Sequence, residues 1–424
     1  IGMTNDNVFD ITQGVAVGIF VRGRHEKRPL LSINQCDAWG SRNAKYHALE
    51  TSPLLAGKAL EVNPPYFFFV PKDLSCQAEQ TGWVSVNNLF GVFGMGVKSR
   101  RDHFLIDQQR HALQRRFAML ASTSNIEAHR ATLDVIDNPQ WSLQQMQDLV
   151  RQEGVDECIF SITYRPFDTR YIWYHRQAIE RGDARWPVMK HVLPDGVSLI
   201  TSRQSTNKDF TSVFVARGLS EMKAAESSRG SYAFPVLIRD EQCILYSENG
   251  HSNIHSQRLA PHLQGTNPTE VLGYVYAVLH SPSYRKRYAA ALKIEFPKIP
   301  TACATSLFFS LSRFGSELVA LHLLESPTLD QSITEFIGNR SSEVENATWS
   351  KDTVWLDKRH TTGFKGVSED VWSFHIGGYQ VCQKWLKYRK GRTLSDVEIA
   401  HYHKIVVALN ETIRLMQEID AVID

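Results

Sequence analysis

Residues 274–300, YVYAVLHSPSYRKRYAAALKIEFPKIP, read as three elements in succession. An apolar helix runs to His280, a short basic helix starts at Pro282, and a strand-like exit ends at Pro297 and Pro300. Proline fits the first turn of a helix and disfavours helix at the residue before it, so Ser281–Pro282 closes one helix and opens the next. Arg285, Lys286 and Arg287 stand between Tyr284 and Tyr288. Three adjacent cations flanked by tyrosines suit a phosphate backbone; the alternative is a solvated helix face.

The bulk composition sets the frame for this stretch. A chain of 424 residues is long enough for two or three domains with an ample core. Its 42% hydrophobic and 22% charged residues are those of an ordinary globular protein. The net charge is only +2, so holding a polyanion requires local basic patches and not a global field. Cys36, Cys76, Cys158, Cys243, Cys303 and Cys382 are scattered without a CxxC pair, which signals neither a zinc site nor a disulfide framework and suits a reducing cytoplasm. No run of about 18 apolar residues predicts a membrane helix, and no cationic segment followed by an apolar one predicts secretion. The strand pattern begins almost at the first residue, as expected of a piece of a longer protein.

Val15–Val21 is a near-continuous apolar run, the pattern of a strand buried on both faces. A charged turn, GRHEKRP (23–29), and a short strand over 30–34 follow. In EVNPPYFFFVP (61–71), Asn63, Pro64, Pro65 and Tyr66 resemble the tetrapeptide with which amino-methyltransferases hold a flipped base. Two features oppose a catalytic reading. No glycine-rich cofactor loop follows an upstream strand, since Gly14 and Gly18 lie within the strand-like run, and the apolar FFFV follows the motif where a working site has it before. A proline turn entering a strand is the preferred reading.

Gly91, Gly94 and Gly96 precede Lys98, Arg100 and Arg101. Glycines ahead of cations let backbone amides approach a phosphate, but GVFGMG is too short for a nucleotide loop, and an interdomain hinge is expected. Leu105, Leu113, Phe117 and Leu120 recur at helical spacing, and Ser142 opens another helix to about Gln152. The strand CIFSITY (158–164) leads through Arg165–Arg170 into Tyr171–Tyr174. Arg165 and Arg170 flank a proline turn, where a guanidinium takes guanine or phosphate bidentately; the alternative is an Asp168 salt bridge that pins the turn.

Strands are expected at 196–201, 211–216, 232–238 and 243–246. The loop SRQSTNKD (202–209) carries Arg203 and Lys208 and suits reading base edges. His251 and His255 have a ligand spacing only on a helix, and Gly250, Ser252 and Asn253 point to a loop, so no metal site is expected. Residues 301–325 read as a helical pair split at Gly315, with Leu318, Leu321 and Leu324 inward. Strands are expected at 353–357 and 371–376, stopped by Gly377–Gly378. A helix over Lys384–Arg392 follows, with five basic residues of nine, two aromatic and none acidic. Lys384, Lys387, Arg389, Lys390 and Arg392 make it the densest positive patch and the leading phosphate contact. Ser395 and Glu398 form a capping box for a final helix with Tyr402, Ile405, Leu409, Ile413, Met416 and Ile419 inward.

Five segments, NVFDITQGVAVGIFV (7–21), GVKSRRDHFLID (96–107), YRPFDTRYIWYH (164–175), DFTSVFVARGLSE (209–221) and VWSFHIGGYQVCQKWLKYRKGRTLSDVEI (371–399), together with 274–300, resemble in order and spacing the C-terminal specificity region of Type ISP restriction-modification enzymes. The resemblance implies a mixed α/β (α+β) fold: the end of a methyltransferase-like sheet over 1–95, a target-recognition domain over 96–325, and a mostly helical part over 326–424. It implies sequence-specific recognition of double-stranded DNA by a cytoplasmic protein, alongside the rest of the methyltransferase/helicase polypeptide. Adenine methylation with S-adenosylmethionine and restriction with ATP and magnesium belong to the intact parent. No GxxxxGK[ST] loop occurs in this chain, and no cofactor site within it is expected. A stand-alone amino-methyltransferase using Asn63–Tyr66 and a non-catalytic assembly module are the alternatives.

Overall fold

The computed structural model describes residues 5–9, 11, 14–21, 33–51, 57–62, 67–71, 78–207, 209–239 and 250–423. The chain forms two compact units, Ile1–Ser75 and Cys76–Asp424. In the first, Asn34–Gln35 pairs antiparallel with Lys58–Ala59, and Arg42–Thr51 is a helix. The expected strand over Val15–Val21 is not formed: its residues are exposed, Val17, Ile19, Phe20 and Val21 strongly so. An apolar run becomes a strand only where neighbours satisfy its backbone, and among the described residues none pairs with it. Asn63–Tyr66 lies outside the described residues, as do the charged turn at 23–29 and the strand expected at 243–246.

The second unit is built around the Pro268–His280 helix, buried on every side from Val271 onward, as an all-round apolar helix must be. Asn267 and Glu270 form a capping box at its start, and Pro268 occupies its first turn. At its end Ser281 accepts a hydrogen bond from the Tyr284 N–H and opens the Pro282–Arg287 helix. Asp420 of the last helix reinforces this junction, accepting from the Ser283 N–H and the Ser281 hydroxyl. The extended exit pairs Lys298–Ile299 with Val84–Ser85.

Residues 301–325 hold one continuous helix, Thr305–His322, where a break at Gly315 was expected. Gly315 is the crossing point. A Cβ there would sit inside the Gly273 carbonyl, and one on Gly273 would lie 2.5 Å from the Ser312 carbonyl oxygen. Two backbones touch at these glycines. The final helix, Asp396–Ile423, packs on the same pair with Tyr402, Ile405 and Leu409 buried and Ile413 and Met416 half-buried.

Two four-stranded sheets flank the helices. One orders Leu219–Ser220, Ile159–Arg165, Asp168–Trp173 and Ile106–Asp107, antiparallel except that Leu219–Ser220 runs parallel to its neighbour. The other orders Gly94–Met95, Tyr232–Pro235, Val197–Thr201 and Val213–Arg217, antiparallel throughout. The expected hinge at 91–96 is therefore an edge strand of a sheet. A Cβ on Gly96 would lie 2.7 Å from the Ser220 carbonyl oxygen, so glycine is required there for close backbone packing. A third antiparallel sheet joins Glu335–Ile337, Gly363–Lys365, Thr353–Trp355 and Thr348–Ser350. The strand expected at 371–376 is a helical turn, Glu369–Trp372, capped by Ser368, and then only His375–Ile376 is extended.

Two buried histidines sit among the helices. The Thr412 hydroxyl donates to the Ala408 carbonyl, so it accepts from His322 Nε2 at 2.9 Å, and His322 Nδ1 accepts from the Tyr276 hydroxyl at 2.5 Å. His280 Nδ1 donates to the Tyr276 carbonyl at 2.8 Å. Burial, with Arg285 nearby, pushes His322 down to about 3 and His280 well below the usual histidine value. Both are neutral in the fold, while in the unfolded chain they take up protons below about pH 6.5. Their contribution to stability is complete above that pH and is lost as pH falls toward about 3. Urea midpoints should decline from pH 7 to pH 5, and the double variant H280Q/H322Q should decline less. Gly315→Ala should cost about 3 kcal/mol or more in urea unfolding, because the helices must separate.

Candidate nucleic-acid interface

Three segments far apart in sequence meet at one place: the turn 165–170, the loop 202–209, and the stretch from Gly377 to Arg392. The turn is held from below. Phe167 takes a left-handed backbone, φ 59°, which is strained for a bulky residue. Its ring packs edge-on against Phe214 and His322, with centroids 5.2 and 5.5 Å away, and its carbonyl accepts from His401 Nε2 at 2.8 Å. Fixing Phe167 in the core places Arg165, Asp168 and Arg170 around it.

Asp168 is 1% exposed and is the hub. Its Oδ2 accepts from Arg170 Nε and Nη2 at 3.0 and 2.8 Å, and its Oδ1 accepts from Arg389 Nη2 at 3.2 Å. Arg389, 6% exposed, also donates to Glu398 at 3.1 Å and to the Trp385 carbonyl at 3.0 Å, and lies 3.4 Å from the Trp385 ring centroid. Burial raises the Glu398 carboxyl, but the Ser395 N–H, Arg392 and Arg389 outweigh it and hold the group below its usual value. Burial likewise lowers Arg389, against Asp168 and Glu398.

Arg165 is also buried. It donates to Glu221 at 2.5 Å and to the Tyr164 carbonyl. Tyrosines separate these cations: Arg165 and Arg170 lie 4.0 and 3.8 Å from the Tyr164 centroid, and Arg170 lies 4.9 Å from that of Tyr388. Burial pushes the phenols of Tyr164 and Tyr379 above the ordinary tyrosine range, so both serve as neutral donors, to Asp102 at 2.8 Å and to the Lys223 carbonyl at 2.9 Å.

The helix of the basic patch covers Val381–Lys387, shorter than the 384–392 expected. Val381, Cys382, Trp385 and Leu386 face inward, and Arg389, four residues after Trp385, follows them into the interior. Lys384 lies 4.9 and 5.8 Å from the Tyr388 and Tyr379 centroids. Lys387 and Lys390 are exposed without an ion pair among the described residues, whereas Arg392 pairs with Glu398 at 2.7 Å.

The loop 202–209 hangs on Glu226, a fully buried carboxylate with no ion pair among the described residues. It accepts from Ser205, Ser212 and Asn207 at 3.0, 2.5 and 3.3 Å and from the Ser228 N–H at 3.0 Å. Gly377 and Gly378 both have positive φ, and a Cβ on Gly378 would lie 3.0 Å from Asn207 Oδ1. Their turn thus joins the loop to Tyr379 and Lys384. Arg203 is exposed with no ion pair among the described residues; Lys208 lies outside them.

The remaining basic residues of the sequence belong to other networks. Lys98 and Arg100 both pair with Glu180, and Arg101 lies 3.8 Å from the Trp141 centroid and donates to the Ile136 carbonyl. Arg285 turns inward to the Leu279 carbonyl at 2.6 Å, and Arg287 forms a double contact with Glu79 at 2.8 and 2.7 Å. Tyr284 and Tyr288, which flank them, pack against Trp83, so only Lys286 of that trio is an exposed cation without an ion pair among the described residues. His251 lies in a short strand and His255 ahead of a 3₁₀ turn; no group of three metal-ligating side chains occurs among the described residues. The Asp168–arginine bridge weighed in the sequence is formed, by Arg170; sequence reasoning missed that Arg389 shares it, Glu226 as the loop anchor, and Tyr379. The i, i+4 relation of Trp385 to Arg389 was the available signal that Arg389 points inward.

The family model described as the Type ISP C-terminal specificity domain matches residues 88–418. A search of curated proteins finds no match. Among solved structures, the ATP-dependent Type ISP restriction-modification enzyme LlaBIII bound to DNA is similar with a TM-score of 0.67 and 17% identity, over 92% of this chain and 27% of that one. A nuclease-deletion mutant of the Type ISP enzyme LlaGI with a DNA substrate mimic gives 0.60 and 18%, over 89% of this chain and 38% of that one. A DrdV–DNA complex gives 0.63 and 16%, over 89% and 42%. The chain therefore spans less than half the length of each of these proteins, and the likeness establishes the fold.

Arg389→Ala should cost about 3–5 kcal/mol in urea unfolding, since it leaves the buried Asp168 and the half-buried Glu398 with fewer partners. Lys387→Ala and Lys390→Ala should stay within about 0.5 kcal/mol of the parent chain.

Proposed function

Since this chain belongs to the Type ISP C-terminal specificity family, we propose that it recognises a specific sequence in double-stranded DNA on the surface formed by the turn 165–170, the loop 202–209 and the 377–390 region. One observation carries the reading: segments more than two hundred residues apart bring Lys387 and Lys390, exposed with no ion pair among the described residues, the half-buried Tyr388 and a polar loop together on a support that includes the buried Tyr164 and Tyr379. Phosphate contacts supply most of the affinity in such complexes and hydrogen bonds to base edges supply the choice of sequence. Lys384, Lys387 and Lys390 are assigned to phosphates, and Arg203, Lys208 and the polar loop to the groove. Arg165, Arg389 and Arg392, engaged with carboxylates, are assigned to holding the surface in shape.

Methyl transfer with S-adenosylmethionine and ATP- and magnesium-dependent restriction belong, on this reading, to the rest of a methyltransferase/helicase polypeptide in the cytoplasm. The recognition region extends from residue 96, its C-terminal part from residue 326. No helix among the described residues is long and apolar enough to cross a membrane.

Binding to duplex DNA should weaken steeply with salt. The triple variant K384A/K387A/K390A should lose affinity about equally for all sequences and lower the salt slope by about one per lost phosphate contact, measured by fluorescence anisotropy between 50 and 200 mM salt. An unchanged slope would mean these lysines are merely solvated.

A further inference from the structure

We propose that Arg170 reads a guanine, with Asp168 holding its guanidinium in the reading position; the assignment rests on the DNA-recognition reading above. Arg170 differs from the chain's other candidate arginines. Arg165 and Arg389 are buried against carboxylates, Arg285 is turned inward, and Arg203 is exposed with no ion pair among the described residues to orient it. Arg170 is both held and reachable. One edge of its fork, Nε and Nη2, is locked on a single oxygen of Asp168 at 3.0 and 2.8 Å. Its plane is flanked by Tyr164 at 3.8 Å and Tyr388 at 4.9 Å. The Nη1 group has no hydrogen bond among the described residues and is not one of the buried polar atoms shut off from solvent. The side chain keeps 14% of its surface.

The chemistry of the arrangement selects the partner. Guanine presents O6 and N7 as two acceptors in the major groove, and the end of an arginine fork matches them. Orienting the fork before binding removes the rotamer entropy that a free arginine loses on contact. Asp168 also argues against a phosphate: a carboxylate touching the guanidinium weakens its pull on an anion, while its outward N–H groups stay available to a neutral base edge. Lys384 and Tyr388, beside Arg170, place it within the proposed DNA surface.

The test is selection of binding sites from a random duplex pool by the full 424-residue chain and by R170K, followed by affinities for the selected site and its single-base variants. R170K keeps the positive charge and the contact to Asp168 but cannot make the two-toothed contact. The wild-type chain should select guanine at a position where R170K loses its preference, by roughly 5- to 150-fold in relative affinity, while non-specific binding stays within about twofold. D168N, checked for folding by its thermal midpoint, should blunt the preference at that same position only, a change that a purely structural role would not produce. The assignment is overturned if R170K keeps every base preference, or if it loses affinity uniformly across sequences, which marks a phosphate contact. If the wild-type chain enriches no sequence, the recognition reading falls and takes the assignment with it.

Discussion

A single buried carboxylate holds the candidate interface together. Asp168 shares its two oxygens between Arg170, two residues away, and Arg389, more than two hundred residues away. Charges removed from water are tolerated only with well-placed partners, and losing one partner costs far more than the pair contributes. The interaction therefore acts less as a source of stability than as a constraint on position: the turn and the C-terminal basic stretch keep one relative placement. The tyrosines between the cations fill the space and give their guanidiniums flat faces to rest on.

That constraint depends in turn on the helical core. Gly273 and Gly315 let two helices touch backbone to backbone, which brings His322 to the level of Phe167 and Phe214. Phe167 is the residue whose left-handed backbone directs the turn. The close glycine crossing, the neutral histidine and the strained phenylalanine form one line of support from the centre of the unit to its proposed reading surface. The expected helix break at Gly315 and the expected hinge at 91–96, at its Gly96, share a cause. In both places glycine serves close approach between backbones, not flexibility.

The electrostatics follow from pairing more than from composition. With a net charge of +2, the chain neutralises most of its basic clusters internally: Glu180 takes Lys98 and Arg100, Glu79 takes Arg287, and Glu398 takes Arg389 and Arg392. The lysines left over on the 384–390 stretch stand beside tyrosines and near a polar loop fastened by Glu226. A patch of this kind attracts a polyanion locally without a strong overall field.

Much of the local structure was legible in the sequence, because caps, prolines and periodicity act over a few residues. The helix opening at Ser142, the Ser395–Glu398 cap, the break at Ser281–Pro282, the strand before Arg165 and the final helix all formed where the pattern placed them. The family resemblance was legible too, and the match over residues 88–418 agrees with it. The sequence could not say which cations face water. Arg389 and Lys390 are adjacent and equally basic in a one-dimensional reading, yet one is buried on Asp168 and the other is exposed. Whether a charge is available to a partner depends on which acid the fold delivers to it from elsewhere in the chain. That is a long-range property, and only the tertiary structure decided it.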